Sequence, residues 1–126
     1  MRSNLAYSAY SQNNISIESS EKLIKMLYEG ILKFTSQAKK SIELDDKEKK
    51  VYWINRTTAI FCELLNSLNY DGGEIAHYLS GIYIQQIKLL SQSNMSNKTE
   101  NLDEVLNVIK TLLASWNAEI NNDMAE

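Results

Sequence analysis

Apolar residues recur every three or four positions in four long segments separated by polar stretches, the spacing of amphipathic helices. The first segment, from about Ser20 to Glu43, carries Leu23, Ile24, Leu27, Tyr28, Ile31, Phe34, Ala38 and Ile42. Ser19 is its expected N-cap, and Glu21 in the first turn suits the positive end of the helix dipole. At roughly 100° per residue, Lys22, Lys25, Glu29, Lys33 and Lys40 gather on one narrow face. With Met26 and Leu32 included, the apolar stripe spans about 240°, far more than the ~100° that one buried face requires. The excess predicts apolar surface offered to a partner.

The charged stretch from Leu44 to Lys50 predicts a solvated turn, with Asp45 or Asp46 capping the next helix. That second helix turns Val51, Ile54, Thr57, Phe61, Leu64, Leu65 and Leu68 inward and is expected to stop at Gly72-Gly73. The third begins near Glu74 and places Ile75, Ala76, Leu79, Ile82, Tyr83, Gln86, Ile87 and Leu90 on one side. Ser91 to Asn101 is polar and aperiodic, and predicts a loop. The fourth starts at Asn101, whose spacing to Glu104 resembles a capping box, and runs through Leu102, Val105, Leu106, Ile109, Leu112, Leu113, Trp116 and Ile120. No stretch alternates with period two long enough for a sheet. The pattern predicts an all-α antiparallel four-helix bundle spanning residues 19–126, preceded by a short helical arm over residues 1–18.

Composition narrows the function. The 126 residues fit one domain, and the absence of proline permits long unbroken helices. A net charge of −3 argues against a nucleic-acid groove, which needs clustered positive charge. The single cysteine, Cys62, cannot form an internal disulfide, and at the edge of its helix's stripe it reads as a small buried hydrophobe. Met1 to Tyr10 lacks the apolar core of a signal peptide and no run of 18 apolar residues occurs, so a cytoplasmic protein without membrane insertion is expected.

Catalysis finds little support. One histidine, one cysteine, no phosphate-cradling loop and no cluster with metal-ligand spacing predict a non-enzyme with no cofactor and no metal. Ala76-His77-Tyr78-Leu79-Ser80-Gly81 resembles the motif of histidine phosphotransfer domains, and the helical wheel exposes His77. Serine at position 80 replaces the motif lysine, and an ordinary surface histidine is the weightier reading. The seven tyrosines carry more information. With the over-wide first stripe they suggest a bundle with an apolar floor and an amphipathic rim, open to a helix.

These residues also carry a resemblance. Ala9-Tyr10-Ser11-Gln12 with Ile15 to Ser19, the Leu27-Tyr28-Glu29-Gly30 step, the stretches Leu64–Asn69, Gly72–Ala76 and Ile82-Tyr83, and Val105 through Trp116 are together similar to the FliS family of flagellin export chaperones. The family usually has proline where Ser20 stands. The resemblance implies a chaperone that binds the disordered C-terminal segment of flagellin, prevents premature polymerisation and presents the client to the cytoplasmic domain of FlhA at the export gate. Leu27, Tyr28, Ile31, Ile60, Leu64, Leu68 and Tyr83 are then expected to form the flagellin contact, accessible to solvent before the client arrives. Tyr7 and Tyr10 are expected to cover part of that groove until displaced, or to contact the export gate; an uncovered groove would favour weak self-association. Two other readings remain: phosphotransfer through His77, and a generic adaptor for some other amphipathic helix.

Overall fold

The computed structural model describes residues 17–125, and the side chains of all of these except residues 17–20, 72 and 120–125. Four helices account for almost all of it: α1 (Ile17–Glu43), α2 (Lys47–Asn66), α3 (Glu74–Ser96) and α4 (Glu100–Ala125). α1 packs on α2 and α4, and α3 packs on the same two, so the helices close a ring in chain order. This is the expected antiparallel four-helix bundle. Of the predicted arm, residues 1–16, with Tyr7 and Tyr10, lie outside the described residues; Ile17 and Glu18 already belong to α1, so Ser19, expected as its N-cap, lies inside the helix.

The turns show why the chain reverses where it does. α1 ends in a Schellman motif: the Asp45 N–H donates to Ile42 O at 3.0 Å and the Asp46 N–H to Ser41 O at 2.8 Å. Asp45 occupies the left-handed position at φ 57°, which a short polar side chain tolerates better than a branched one. Asp46 then caps α2, its carboxylate accepting the Lys49 N–H at 3.1 Å.

The α2–α3 connection differs from expectation. α2 stops at Asn66, well before the glycines, and its cap Ser67 sends its hydroxyl back to Glu63 O at 2.9 Å. Asn69 then accepts the Asp71 N–H at 3.2 Å and opens a single 3-10 turn, Tyr70–Gly72. Gly73, at φ 108° and ψ −160°, adopts a backbone conformation that side chains exclude, and releases the chain into α3.

The second difference is larger. Ser91–Ser96, expected as loop, continues α3, and the connection to α4 shrinks to residues 97–99. Ser93 is fully buried, so the last turns of α3 still cover the core although their polar residues hide the periodicity. The helix stops where Asn97 turns left-handed at φ 60°. α4 begins at Glu100 without the anticipated capping box; Asn101 instead donates to the Gln92 side chain at 3.0 Å.

The core holds Ile24, Ile31 and Ala38 of α1, Ile54, Phe61 and Leu64 of α2, Leu79 and Leu90 of α3, and Leu102, Val105 and Ile109 of α4. Val51, expected inward, is 40% exposed, and Lys50 beside it is buried at 5%. Its ammonium donates to Asn94 O at 2.8 Å and to Asn97 Oδ1 at 2.6 Å, tying the start of α2 to the end of α3. At the surface, Lys39 of α1 lies 2.8 Å from Asp103 of α4; that hydrogen bond and then the carboxylate's charge raise the lysine above its ordinary pKa. Cys62, expected buried, is exposed because it falls outside the arc that Phe61 and Leu64 define on α2.

Gly81 is exposed inside α3, and a Cβ there would meet nothing within 4 Å. Gly81→Ala should therefore stabilise the protein by about 0.5–1 kcal/mol, through helix propensity and a less flexible unfolded chain, read as a higher urea midpoint.

Candidate functional site

Of the seven residues expected to contact a client, five belong to the core. Ile31, Leu64 and Tyr83 are fully buried, Tyr28 is 2% exposed and Leu68 is 8% exposed. The expectation that they stand open to solvent is therefore corrected. The tyrosines point inward: the Tyr28 and Tyr83 hydroxyls lie 2.7 Å apart, a hydrogen bond joining α1 and α3 across the bundle. Tyr28 also meets the Trp116 ring edge-on, with centroids 6.5 Å apart, and Tyr83 packs against Phe61 at 6.0 Å. The Trp116 indole N–H donates to Glu21 O at 3.1 Å, which fastens α4 to the first turns of α1.

Leu27 and Ile60 are the two that remain half-buried. Gly30 explains the close approach of α1 to α2 at this level. A Cβ at that position would sit 3.1 Å from Ile60 Cδ1. The Leu-Tyr-acid-Gly step thus supplies, two positions apart, a core hydroxyl at Tyr28 and a gap for the neighbouring helix at Gly30.

Apolar surface does remain open, partly where the wide stripe placed it and partly elsewhere. Leu23 and Met26 of α1 are 46% and 65% exposed. Between α3 and α4 runs a groove of about 400 Å³ with Ile82, Val108 and Leu112 along its floor. Tyr78, Gln85, Asn107 and Thr111 form the rim, so no charged side chain lines it. Gln86 lines one wall; its Nε2 donates to Ile82 O at 3.3 Å, whereas its Oε1 is buried without a hydrogen-bond partner. From Tyr78 to Gln86 the α3 wall is about 12 Å long, room for some two turns of a helix laid alongside.

An apolar floor with a neutral rim suits an amphipathic segment held by burial, with hydrogen bonds to the rim setting its register. The reading of the chain alone missed Val108 and includes Tyr78 only among the seven tyrosines. Val108 stands at i+3 from Val105 and i−4 from Leu112, so the spacing was present, but it reads equally well as the margin of a core stripe.

His77 is exposed, as the wheel requires, and its ring lies 4.9 Å from that of Tyr70. Lys88, the lysine on its face of α3, is about three turns away, roughly 16 Å, too far to steady a phosphoryl group on the imidazole. No group of three or more His, Cys, Asp or Glu side chains among the described residues could hold a metal ion. No helix among them is long and apolar enough to cross a membrane.

The family model described as "Flagellar protein FliS" matches residues 2–123. The chain is 55% identical over 124 residues to the flagellar secretion chaperone FliS of Campylobacter jejuni, covering 98% of this chain and 97% of that one. It is 32% identical over 117 residues to the protein of the same name from Bacillus subtilis, covering 93% and 87%. The Salmonella typhimurium protein of that name is 29% identical over 116 residues, covering 86% and 84%.

Proposed function

The chain belongs to the FliS family and is a flagellar export chaperone, and from that premise we propose that its client is the C-terminal segment of flagellin, held in part by the α3/α4 groove. The observation that carries this reading is the groove itself, an apolar floor with an uncharged rim. A segment that is disordered when free loses ordering entropy on binding. Extended apolar contact has to offset that loss, which favours a shallow trough over a deep pocket. Exposed Leu23 and Met26 offer a second stretch for a client that wraps the bundle.

In this proposal Leu27 and Ile60 meet the client at the half-open α1/α2 seam. Tyr28, Ile31, Leu64, Leu68 and Tyr83 form the support beneath. The chaperone works in the cytoplasm, keeps flagellin from polymerising there and transfers it to the cytoplasmic domain of FlhA. Tyr7 and Tyr10 cover the client site before flagellin arrives, or meet the export gate after it. The protein carries out no catalysis, and His77 has no phosphotransfer role.

Calorimetric titration with a flagellin C-terminal peptide tests the groove. Val108→Glu and Thr111→Glu each place a charge on the neutral surface and should weaken binding about 30-fold, near 2 kcal/mol, with circular dichroism unchanged. Leu44→Glu, in a turn distant from the groove, should bind as wild type. Equal affinity in all four proteins would place the client elsewhere.

A further inference from the structure

On the side of the ring opposite the α3/α4 groove, α1 and α2 enclose a second cleft, of about 330 Å³. Tyr52 and Trp53 line it, and Phe34 and Arg56 adjoin it through these two rings. Trp53 lies 5.2 Å from the Phe34 ring and 4.8 Å from that of Tyr52. The Arg56 guanidinium stands 5.0 Å from the Phe34 centroid and 5.6 Å from that of Tyr52. Contact with both rings restrains the guanidinium, and the exposed side chain leaves N–H groups available. Leu44 and Tyr52, both lining the cleft, are 68% and 52% exposed.

The charges around it are unbalanced. Lys40 and Lys49 line the cleft, and Lys33 lies one turn before Gln37 on the same face of α1. The carboxylate at the cleft, Asp46, is engaged by the start of α2: one oxygen accepts the Lys49 N–H and the other lies 4.0 Å from the Lys49 ammonium. Glu43 and Glu48 do not line the cleft, although Glu48 stands one turn before Tyr52 on α2. No ion pair among the described residues engages Lys33, Lys40 or Arg56. In a chain of net charge −3 this is a local reversal of sign.

We propose that the α1/α2 cleft is a second docking surface, for an acidic protein segment that pairs a carboxylate with Arg56 and its lysine rim and lays a large apolar side chain on Trp53. The guanidinium fork matches a carboxylate in two parallel hydrogen bonds. Trp, Tyr and Arg are also the residues that dominate interface hot spots. A concave aromatic cleft accepts a protruding side chain, which a flat lipid surface does not offer. The cleft occupies the Asp46 end of the α1/α2 seam, whereas Leu27 and Ile60 lie toward the other end, so one chaperone could hold a client and a second protein together. The proposal does not rest on which client the groove takes.

Selection of phage-displayed random peptides of about twelve residues on the full-length protein tests it. Enriched sequences should combine Asp or Glu with Trp, Phe or Leu. Synthetic versions should bind Arg56→Gln and Lys40→Glu at least tenfold more weakly than wild type and weaken as salt rises. Both positions are exposed, circular dichroism checks their folding, and a flagellin C-terminal peptide should bind both variants as it binds wild type. Failure to enrich any peptide, enriched sequences without acidic residues, or equal binding to wild type and both variants would overturn the proposal. So would co-sedimentation with phosphatidylserine vesicles that Arg56→Gln abolishes while no peptide is enriched, an outcome that assigns the cleft to a membrane surface.

Discussion

Tyr83→Ala is expected to cost roughly 3–5 kcal/mol of folding stability, the range for deleting a large buried aromatic side chain. Tyr83 is fully buried, packs on Phe61 and hydrogen-bonds Tyr28. Against a total stability of about 5–15 kcal/mol the loss is large, and it should lower the melting temperature by on the order of 15 °C. Tyr83→Phe removes the hydroxyl but keeps the ring, and should cost only about 1 kcal/mol. Urea unfolding of the three proteins separates the two contributions. An alanine variant with wild-type stability and lost client binding would return Tyr83 to the open client surface that the sequence reading expects.

Lys50→Ala should cost about 2–4 kcal/mol. It removes the charge-assisted bonds to Asn94 O and Asn97 Oδ1 together with a methylene stem that is almost completely buried. Lys50→Met retains most of the stem, so the difference between the two variants isolates the packing contribution. Hydrogen exchange supplies a local reading: in both variants the last turn of α3, around Asn94 to Asn97, should exchange faster than in wild type. Unchanged protection there, with stability lost, would mean that the ammonium does not hold the helix end.

Lys50 also marks a limit of reading the chain from its letters. Four helices, the Asp46 cap and most of the inward residues follow from spacing, because a helix repeats every 3.6 residues whatever it packs against. Whether a given side chain ends in water depends on the neighbours, and a helical wheel has none. Tyr28 and Leu64 therefore looked like an open floor, although α3 and α4 close over that side. A lysine one residue before Val51 gave no sign that it would go in and the valine out; that choice is made by Asn94 and Asn97, more than forty positions away. The extension of α3 through Ser96 was hidden for the opposite reason. Serine and glutamine break the hydrophobic rhythm without breaking the helix, and only the left-handed Asn97 ends it. The α3/α4 groove combines the margins of two stripes, each of which looked like ordinary core edge in its own helix.

The hydroxyl pair between α1 and α3 also bears on how the helices find their alignment during folding. Much of both stripes is aliphatic and interchangeable: Ile24 and Ile31 on one, Leu79 and Leu90 on the other. Such surfaces pack almost as well after one helix slides by a heptad, about 10 Å along the axis. In a slid bundle Tyr28 and Tyr83 no longer meet, and each hydroxyl is pressed against hydrocarbon, a penalty of about 1–3 kcal/mol per group. The aligned bundle carries no such penalty at that pair. Two oxygens 2.7 Å apart thus act as a key and its slot, distinguishing one arrangement of four greasy rods from its near copies.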